Sequence, residues 1–308
     1  MSIAIIGAAG AIGRSVADAY HAAGAAVRLV GRSKEPLDAM AAPGDSIVLA
    51  DVATAKGCMD ALMGVEQAVY TLGVPYTKTA FAAYPQMMRY FIEAAKACGV
   101  KRVLLITNVY AYGAPVTTLV REDHPRNPCS VKGLHRKEQE DILLAANGKG
   151  LEVVSLRLPD FYGPNVPGSL MGGVVIAARS GKTADLLGPA DRPHEFVFTP
   201  DVGPVVKALL EHPRAAGEAY NFAGAGVITM QDLAGLIYAA AGQAPKLRVM
   251  APWMQSAVGL FMPVLRELGE MRYLFTTPVL LDDSKLHALL PGVKKTPYAE
   301  GAKRIMAG

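Results

Sequence analysis

Apolar positions in the first half of the chain follow two alternating rhythms. Short apolar runs with strand character lie at 3–6, 26–30, 46–50, 67–72, 102–107 and 151–157. Between them, apolar residues recur at three- and four-residue intervals, which predicts helices at about 11–23, 55–63, 80–98 and 133–147. Across 80–98, Phe81, Tyr84, Met88, Phe91 and Ala95 fall near one helical face, as a buried helix requires. Strands alternating with such helices predict an α/β protein with a doubly wound parallel sheet, covered on both faces. Ligands of these sheets bind at the carboxyl ends of the strands. Beyond residue 157 the pattern loosens. Segment 165–192, rich in Gly and Pro, reads as an active-site loop with a short helix, and 229–241 reads as a helix with Thr229 as its N-cap.

The junction of the first strand and first helix carries the clearest chemistry. Ile3-Ala4-Ile5-Ile6 runs straight into Gly7-Ala8-Ala9-Gly10-Ala11-Ile12-Gly13. Gly7 allows the tight turn, Gly10 removes a side chain where a phosphate must approach, and Gly13 lets the helix pack on the sheet. Backbone N–H groups and the helix N-terminus then face a pyrophosphate. The second strand ends in Gly31-Arg32-Ser33, with Arg32 19 residues after Gly13. An acid at this strand end would bond the ribose 2′-OH of NAD, whereas an arginine accommodates the 2′-phosphate of NADP. The expected cofactor is therefore NADP(H), with NAD(H) as the alternative.

The Gly-x-x-Gly-x-x-Gly spacing resembles that of the extended short-chain dehydrogenase/reductases, the NAD-dependent epimerase/dehydratase family. Other segments support the resemblance: Val109-Tyr110-Ala111-Tyr112-Gly113, Arg157-Leu158-Pro159-Asp160-Phe161-Tyr162-Gly163-Pro164, Phe196 to Val202, and Glu218 to Gly224. It implies a Rossmann-type core, residues 1–164 and 195–224, and a smaller C-terminal substrate-binding lobe, residues 165–194 and 225–308. It also implies cofactor contacts from Gly7, Ala9, Gly10, Ala11, Ile12 and Gly13, from Arg32, from Asp51 and Val52, and from Thr71, Leu72 and Gly73. Arg136 and Pro159 complete that set. Asp160, where the family has asparagine, and Tyr162 are the implied substrate contacts.

The catalytic positions depart from the family pattern. The family places a Ser or Thr four residues before the tyrosine of its Tyr-Gly, and here that residue is Asn108. The helix motif Pro-x-Ser-x-Tyr-Gly-x-x-Lys-x-x-x-Glu reads Pro128, Ser130, Lys132, Gly133, Arg136 and Glu140, so the tyrosine has become Lys132 and the lysine Arg136. The proton carrier is then expected to be Lys132, its pKa lowered by desolvation beside Arg136, or Tyr110, on the same strand face as Asn108. Arg136 can bind ribose hydroxyls but holds its proton too firmly to trade it. His124 and His135 are expected in loop and surface roles. The expected activity is oxidoreduction, or epimerisation by transient oxidation, of a small-molecule carbonyl or hydroxyl compound. The rival is a non-catalytic dinucleotide-binding sensor.

Composition narrows the rest. Of 308 residues, 51% are hydrophobic and 19% charged, enough for a substantial core. A net charge of +4 without a basic stripe argues against nucleic-acid binding. Cys58, Cys98 and Cys129 are sparse and lack metal-ligand spacing, so no metal is expected and a reducing cytoplasm suits them. The first residues already read as strand rather than signal peptide. The apolar stretch Pro252 to Leu265 is too short to span a bilayer. Trp253, Met254, Phe261, Met262, Met271, Tyr273 and Phe275 are expected as core or homodimer contacts. Any that line the pocket would favour an apolar or aromatic substrate.

Overall fold

A computed structural model describes residues 2–250 and 267–307. Strands β1 (Ile3–Ile6), β2 (Arg28–Gly31), β3 (Ser46–Leu49), β4 (Gln67–Tyr70), β5 (Arg102–Asn108) and β6 (Glu152–Leu158) belong to one sheet. The sheet has seven strands; the late strand Glu218–Asn221 adds to its β6 edge, giving the order β3-β2-β1-β4-β5-β6 and then this strand. Every pairing is parallel. The order reverses between β1 and β4, and a crevice opens there at the carboxyl ends.

Helices α1 (Ala11–His21), α2 (Lys34–Asp38), α3 (Ala55–Leu62), α4 (Lys78–Phe81), α5 (Tyr84–Ala97) and α6 (Val131–Ala145) connect these strands. The long helix predicted across 80–98 is divided. Pro85 sits in the first turn of α5, where its missing N–H costs nothing but an uninterrupted helix would have needed a donor. Helix α1 buries Ile12, Val16, Ala17 and Tyr20. It packs against α7 (Thr199–Glu211) so closely that a Cβ on Gly203 would lie 1.9 Å from the Ser15 carbonyl. Helices α3, α5 and α6 cover the opposite face with Cys58, Leu62, Met88, Phe91 and Leu143.

The segment 165–192, expected as a loop with a short helix, contains the helix Gly172–Arg179 and, beyond that expectation, the strand Ala184–Leu187. Two short strands, Asp160–Tyr162 and Phe196–Phe198, pair with each other in parallel outside the main sheet. Pro193–His194 pairs antiparallel with Ile228–Thr229. The helix Met230–Ala240 starts at Thr229, whose hydroxyl accepts from the Asp232 N–H at 3.0 Å. These elements and the last helix, Tyr298–Ala307, enclose a separate core that includes Tyr162, Phe196, Leu233 and Phe275. Trp253, Met254, Phe261 and Met262, with the stretch Pro252 to Leu265, lie outside the described residues. No helix among the described residues is long and apolar enough to cross a membrane.

Candidate active site

A groove of about 540 Å³ runs along the carboxyl ends of β1, β2, β3 and β4. Gly7, Ala9 and Gly10 form one wall, with Arg32 and Ser33, Asp51 and Val52, and Thr71, Leu72 and Gly73 around them. Gly7 has φ +80°, and a Cβ there would crowd Thr71 Oγ1 at 3.1 Å and Leu72 Cα at 3.2 Å. Gly10 caps α1 without any side-chain bond, so the first-turn N–H groups are left for a ligand. A phosphate-sized anion fits this cradle: the turn is bare of side chains, and the helix dipole favours negative charge.

The other expected cofactor contacts do not line the groove. Ile12 is buried in the core beneath it. Gly13 meets the turn from behind, where a Cβ would stand 2.4 Å from the Gly7 carbonyl. Ala11 enters through its backbone position alone, at the first residue of α1. Pro159 is buried at the end of β6. Arg136 is a correction. Its guanidinium donates to the Ile106 carbonyl at 3.0 Å and to Gln139 Oε1 at 2.6 Å, and its carbon lies 4.7 Å from the Tyr84 ring centroid. These contacts hold it beside α5 and outside the groove lining, with its Nε left without a partner among the described residues. Sequence reasoning also passed over Arg14, which bonds the Ala9 carbonyl at 3.0 Å and the Pro36 carbonyl at 3.3 Å and so ties the turn to α2.

The residues expected to carry the chemistry gather where β5 and β6 stop. Asn108 pairs with Leu158 in the ladder, so Val109–Tyr110 and Pro159–Asp160 leave the sheet side by side. Asn108 Oδ1 accepts from the Tyr110 N–H at 3.2 Å and caps the single 3₁₀ turn Val109–Tyr112. Tyr110 OH meets Tyr76 OH at 3.4 Å, and Tyr273 OH donates to the Tyr110 carbonyl at 3.5 Å. Burial, followed by the neighbouring Tyr76 and Asp160, pushes the Tyr110 phenol well above its ordinary 10. Tyr110 is thus a neutral hydrogen-bond donor rather than a base.

Lys132 requires a second correction. It is fully buried, but its ammonium donates to Glu267 Oε2 at 2.6 Å, to the Glu267 carbonyl at 3.0 Å and to Glu270 Oε1 at 2.8 Å. An ammonium has three protons, and all are committed. Glu267 also accepts from the Lys78 N–H at 3.0 Å, and Glu270 from the Val131 N–H at 3.1 Å. The glutamates come from a segment 135 and 138 residues further along the chain, and no local pattern announces them.

Asp160 Oδ2 pairs with His194 Nε2 at 2.8 Å. The imidazole lies nearly parallel to the Phe275 ring, at 10° and 6.4 Å. His194 went unnoticed in the sequence because its partner is 34 residues away and on another strand. Tyr162 is the third correction. Its ring is sealed against Phe196, Phe198 and Tyr298, and its hydroxyl meets no partner among the described residues, so it sits in the lobe's core. His124 bonds the Pro125 carbonyl and the Val116 N–H within its loop, and His135 pairs with Glu138 near the surface. Met271 is buried in a cluster with Tyr112 and Leu281.

Several motif residues that match the family pattern form a buried framework beneath the site. Arg157 Nη1 donates to Tyr112 OH at 2.7 Å, Arg157 Nε to Glu140 Oε1 at 2.8 Å, and Tyr112 OH to Asn221 Oδ1 at 2.8 Å. Arg126 adds a bond to Glu140 Oε2 at 2.9 Å. Each charge is paired and hydrogen-bonded, as its burial demands.

The family model for the NAD dependent epimerase/dehydratase family matches residues 3–223. The chain belongs to this family. It is accordingly an oxidoreductase-type enzyme of the epimerase/dehydratase class. No curated protein matches it in sequence. Solved structures share the fold throughout. DesIV, a dTDP-glucose 4,6-dehydratase from Streptomyces venezuelae bound to NAD and TYD, is 21% identical with a TM-score of 0.83, covering 100% of this chain and 96% of that one. A UDP-glucose 4-epimerase from Thermotoga maritima with UDP-glucose is 17% identical with a TM-score of 0.81, at coverages of 100% and 98%. A UDP-glucuronic acid 4-epimerase from Bacillus cereus in complex with NAD gives 16% and 0.81, again at 100% and 98%.

Proposed function

We propose that this family member is an NADP(H)-linked oxidoreductase, or an epimerase working by transient oxidation, acting on a small hydroxyl or carbonyl compound. The substrate lies between a dinucleotide-binding unit, residues 1–164 and 195–224, and a lobe made of 165–194 and 225–308. When bound, the dinucleotide supplies or accepts a hydride. The protein's own part is binding, orientation and proton handling. The first-turn N–H groups of α1 receive the pyrophosphate, above a turn whose Gly7 and Gly10 N–H groups are bonded to the Val30 and Gly7 carbonyls.

The observation that carries the cofactor choice is Arg32. It lines the groove, is exposed, and makes no hydrogen bond or ion pair among the described residues. Beside it, Ser33 begins α2 with its hydroxyl uncommitted to capping. Gly31 offers no acid, and a Cβ there would only touch Leu37, whose Cδ1 lies 3.4 Å from that position. A free guanidinium with a neighbouring hydroxyl suits a 2′-phosphate. The NAD held by structural neighbours describes those proteins; Arg32 argues for the phosphorylated form here. At the reacting end, Tyr76, Tyr110 and Tyr273 suit an apolar or aromatic substrate.

Calorimetric titration of NADPH and NADH into the native protein and into Arg32→Asp tests this. NADPH is expected to bind at least about tenfold more tightly to the native protein, a difference of about 1.4 kcal/mol, with the order reversed in the variant. Equal affinities in the native protein would overturn the assignment.

A further inference from the structure

We infer that the Asp160–His194 pair moves the proton in this enzyme's reaction, with His194 Nδ1 exchanging it with the substrate oxygen and Asp160 as the positioning residue. The inference rests on the proposed oxidoreductase reading and names the group that reading lacks. Around the reacting end, the ammonium of Lys132 has no proton to spare, Arg136 is turned inward, and Tyr110 holds its phenolic proton. An imidazole is the side chain suited to gaining and losing a proton near neutrality.

Geometry places the pair at the right end of the molecule. Asp160 leaves β6 two residues after Leu158, and Tyr110 leaves β5 two residues after Leu158's ladder partner Asn108. The Asp160 charge is close enough to act on Tyr76, Tyr110 and Tyr273 alike. His194 is held on two sides: Nε2 by Asp160 at 2.8 Å, and the ring by Phe275 and Phe196. Nδ1 makes no hydrogen bond among the described residues and is not one of the sealed, partnerless atoms, so it remains open to a ligand.

An aspartate on one ring nitrogen fixes Nε2–H and leaves Nδ1 as the working atom. In the reducing direction the carbonyl carbon gains the hydride, and the C=O electron pair moves to oxygen. The Nδ1–H bond of the imidazolium breaks, an O–H bond forms, and the N–H pair returns to the ring. The oxidising direction reverses each transfer, with neutral His194 as the base. Asp160 stays ionised throughout and stabilises the imidazolium. The titratable groups facing the pair are Asp160 itself and the phenols of Tyr76, Tyr110 and Tyr273.

The test uses the full chain labelled with ¹⁵N. Long-range ¹H–¹⁵N spectra of the six histidines, with His194→Gln assigning the signal, are followed on adding 2′,5′-ADP and then NADP⁺. The His194 ring is expected to be the Nε2–H tautomer at high pH and to shift with NADP⁺ but not with 2′,5′-ADP. Asp160→Asn, which keeps shape, is expected to weaken the ring's bias toward the Nε2–H tautomer. A His194 signal indifferent to saturating NADP⁺, while other resonances move, overturns the inference and leaves the oxidoreductase reading intact. Binding of neither nucleotide overturns both. With a carbonyl compound that the native enzyme reduces, His194→Gln is expected to slow hydride transfer about 10²–10⁴-fold with NADPH affinity retained. Asp160→Asn should lower kcat while leaving the KM for NADPH little changed. Full rate and an unchanged profile in His194→Gln would refute the role.

Discussion

Glu195, next to His194, makes the stability of this protein depend on pH in a direction opposite to most carboxylates. Its residue is only 5% exposed. Oε2 accepts from the Leu281 N–H at 3.2 Å, and the Gly224 N–H also points to it. Desolvation is the largest influence and raises the pKa. The two backbone donors and Lys295 oppose it, and Asp283 adds to it, leaving the group at about 7 instead of 4.5. The folded state therefore holds a proton between pH 4.5 and 7 that the unfolded chain has already released. Stability is complete below about pH 4.5, declines as pH rises to about 7, and is flat above. The displacement from 4.5 to about 7 corresponds to about 3 kcal/mol.

Glu195→Gln removes the titration while keeping an acceptor for Leu281 and an N–H in place of the acid's O–H. Urea unfolding followed by circular dichroism at pH 5 and pH 8 reads the effect. At pH 5 the variant is expected to match the native protein within about 1 kcal/mol. At pH 8 it should be more stable by roughly 2–3 kcal/mol. The same difference between the two proteins at both pH values would show that Glu195 ionises normally in the folded protein.

Other outcomes follow from the packing. Gly10→Val is expected to fold, because a Cβ there meets only the Gly7 carbonyl at 3.3 Å, yet to lose dinucleotide affinity by more than about a hundredfold in calorimetry because its methyls occupy the phosphate space. Gly13→Ala should instead lower stability by at least about 2 kcal/mol, read as a fall in melting temperature, since its methyl would overlap Gly7 and Ala8. Lys132→Met strands the Glu267 and Glu270 carboxylates and is expected to cost about 3 kcal/mol at pH 7. Lys132 holds Glu267 below its ordinary 4.5, so this stabilisation is present above that value and fades as pH falls through the lowered one. A cost unchanged at pH 3 would argue against the ion pairs. Arg157→Met leaves buried Glu140 short of its closest cation and should destabilise by about 3–5 kcal/mol, with denaturation midpoints as the measure.

The sheet and the candidate groove at its carboxyl edge were legible in the chain because their determinants are local. Six strands and the turn between Ile6 and Ala11 follow from runs of neighbouring residues: Gly7 must take φ +80° and Gly13 must sit against a carbonyl, and both needs show in the glycine spacing. Arg32 could be read the same way, since the end of β2 and the missing acid at Gly31 are adjacent in sequence. The division of 80–98 into two helices was marked by Pro85 and outweighed by apolar periodicity.

The acid–base assignments behaved differently, because proton chemistry is decided by what surrounds a side chain in space. Lys132 looked like a replaced tyrosine with a poised amine. A segment more than 130 residues distant supplies two carboxylates and one carbonyl that use all of its protons. Arg136 matched the ribose-binding position, yet the Ile106 carbonyl and Gln139 claim its guanidinium. Asp160 registered as a substitution for asparagine, but its partner His194 lies on another strand and reaches it only through the pairing of short strands outside the main sheet. Sequence periodicity specifies backbone and burial, which depend on near neighbours. Hydrogen-bond partners and solvent exclusion are set by tertiary contact, and they determined which of these residues can carry a proton.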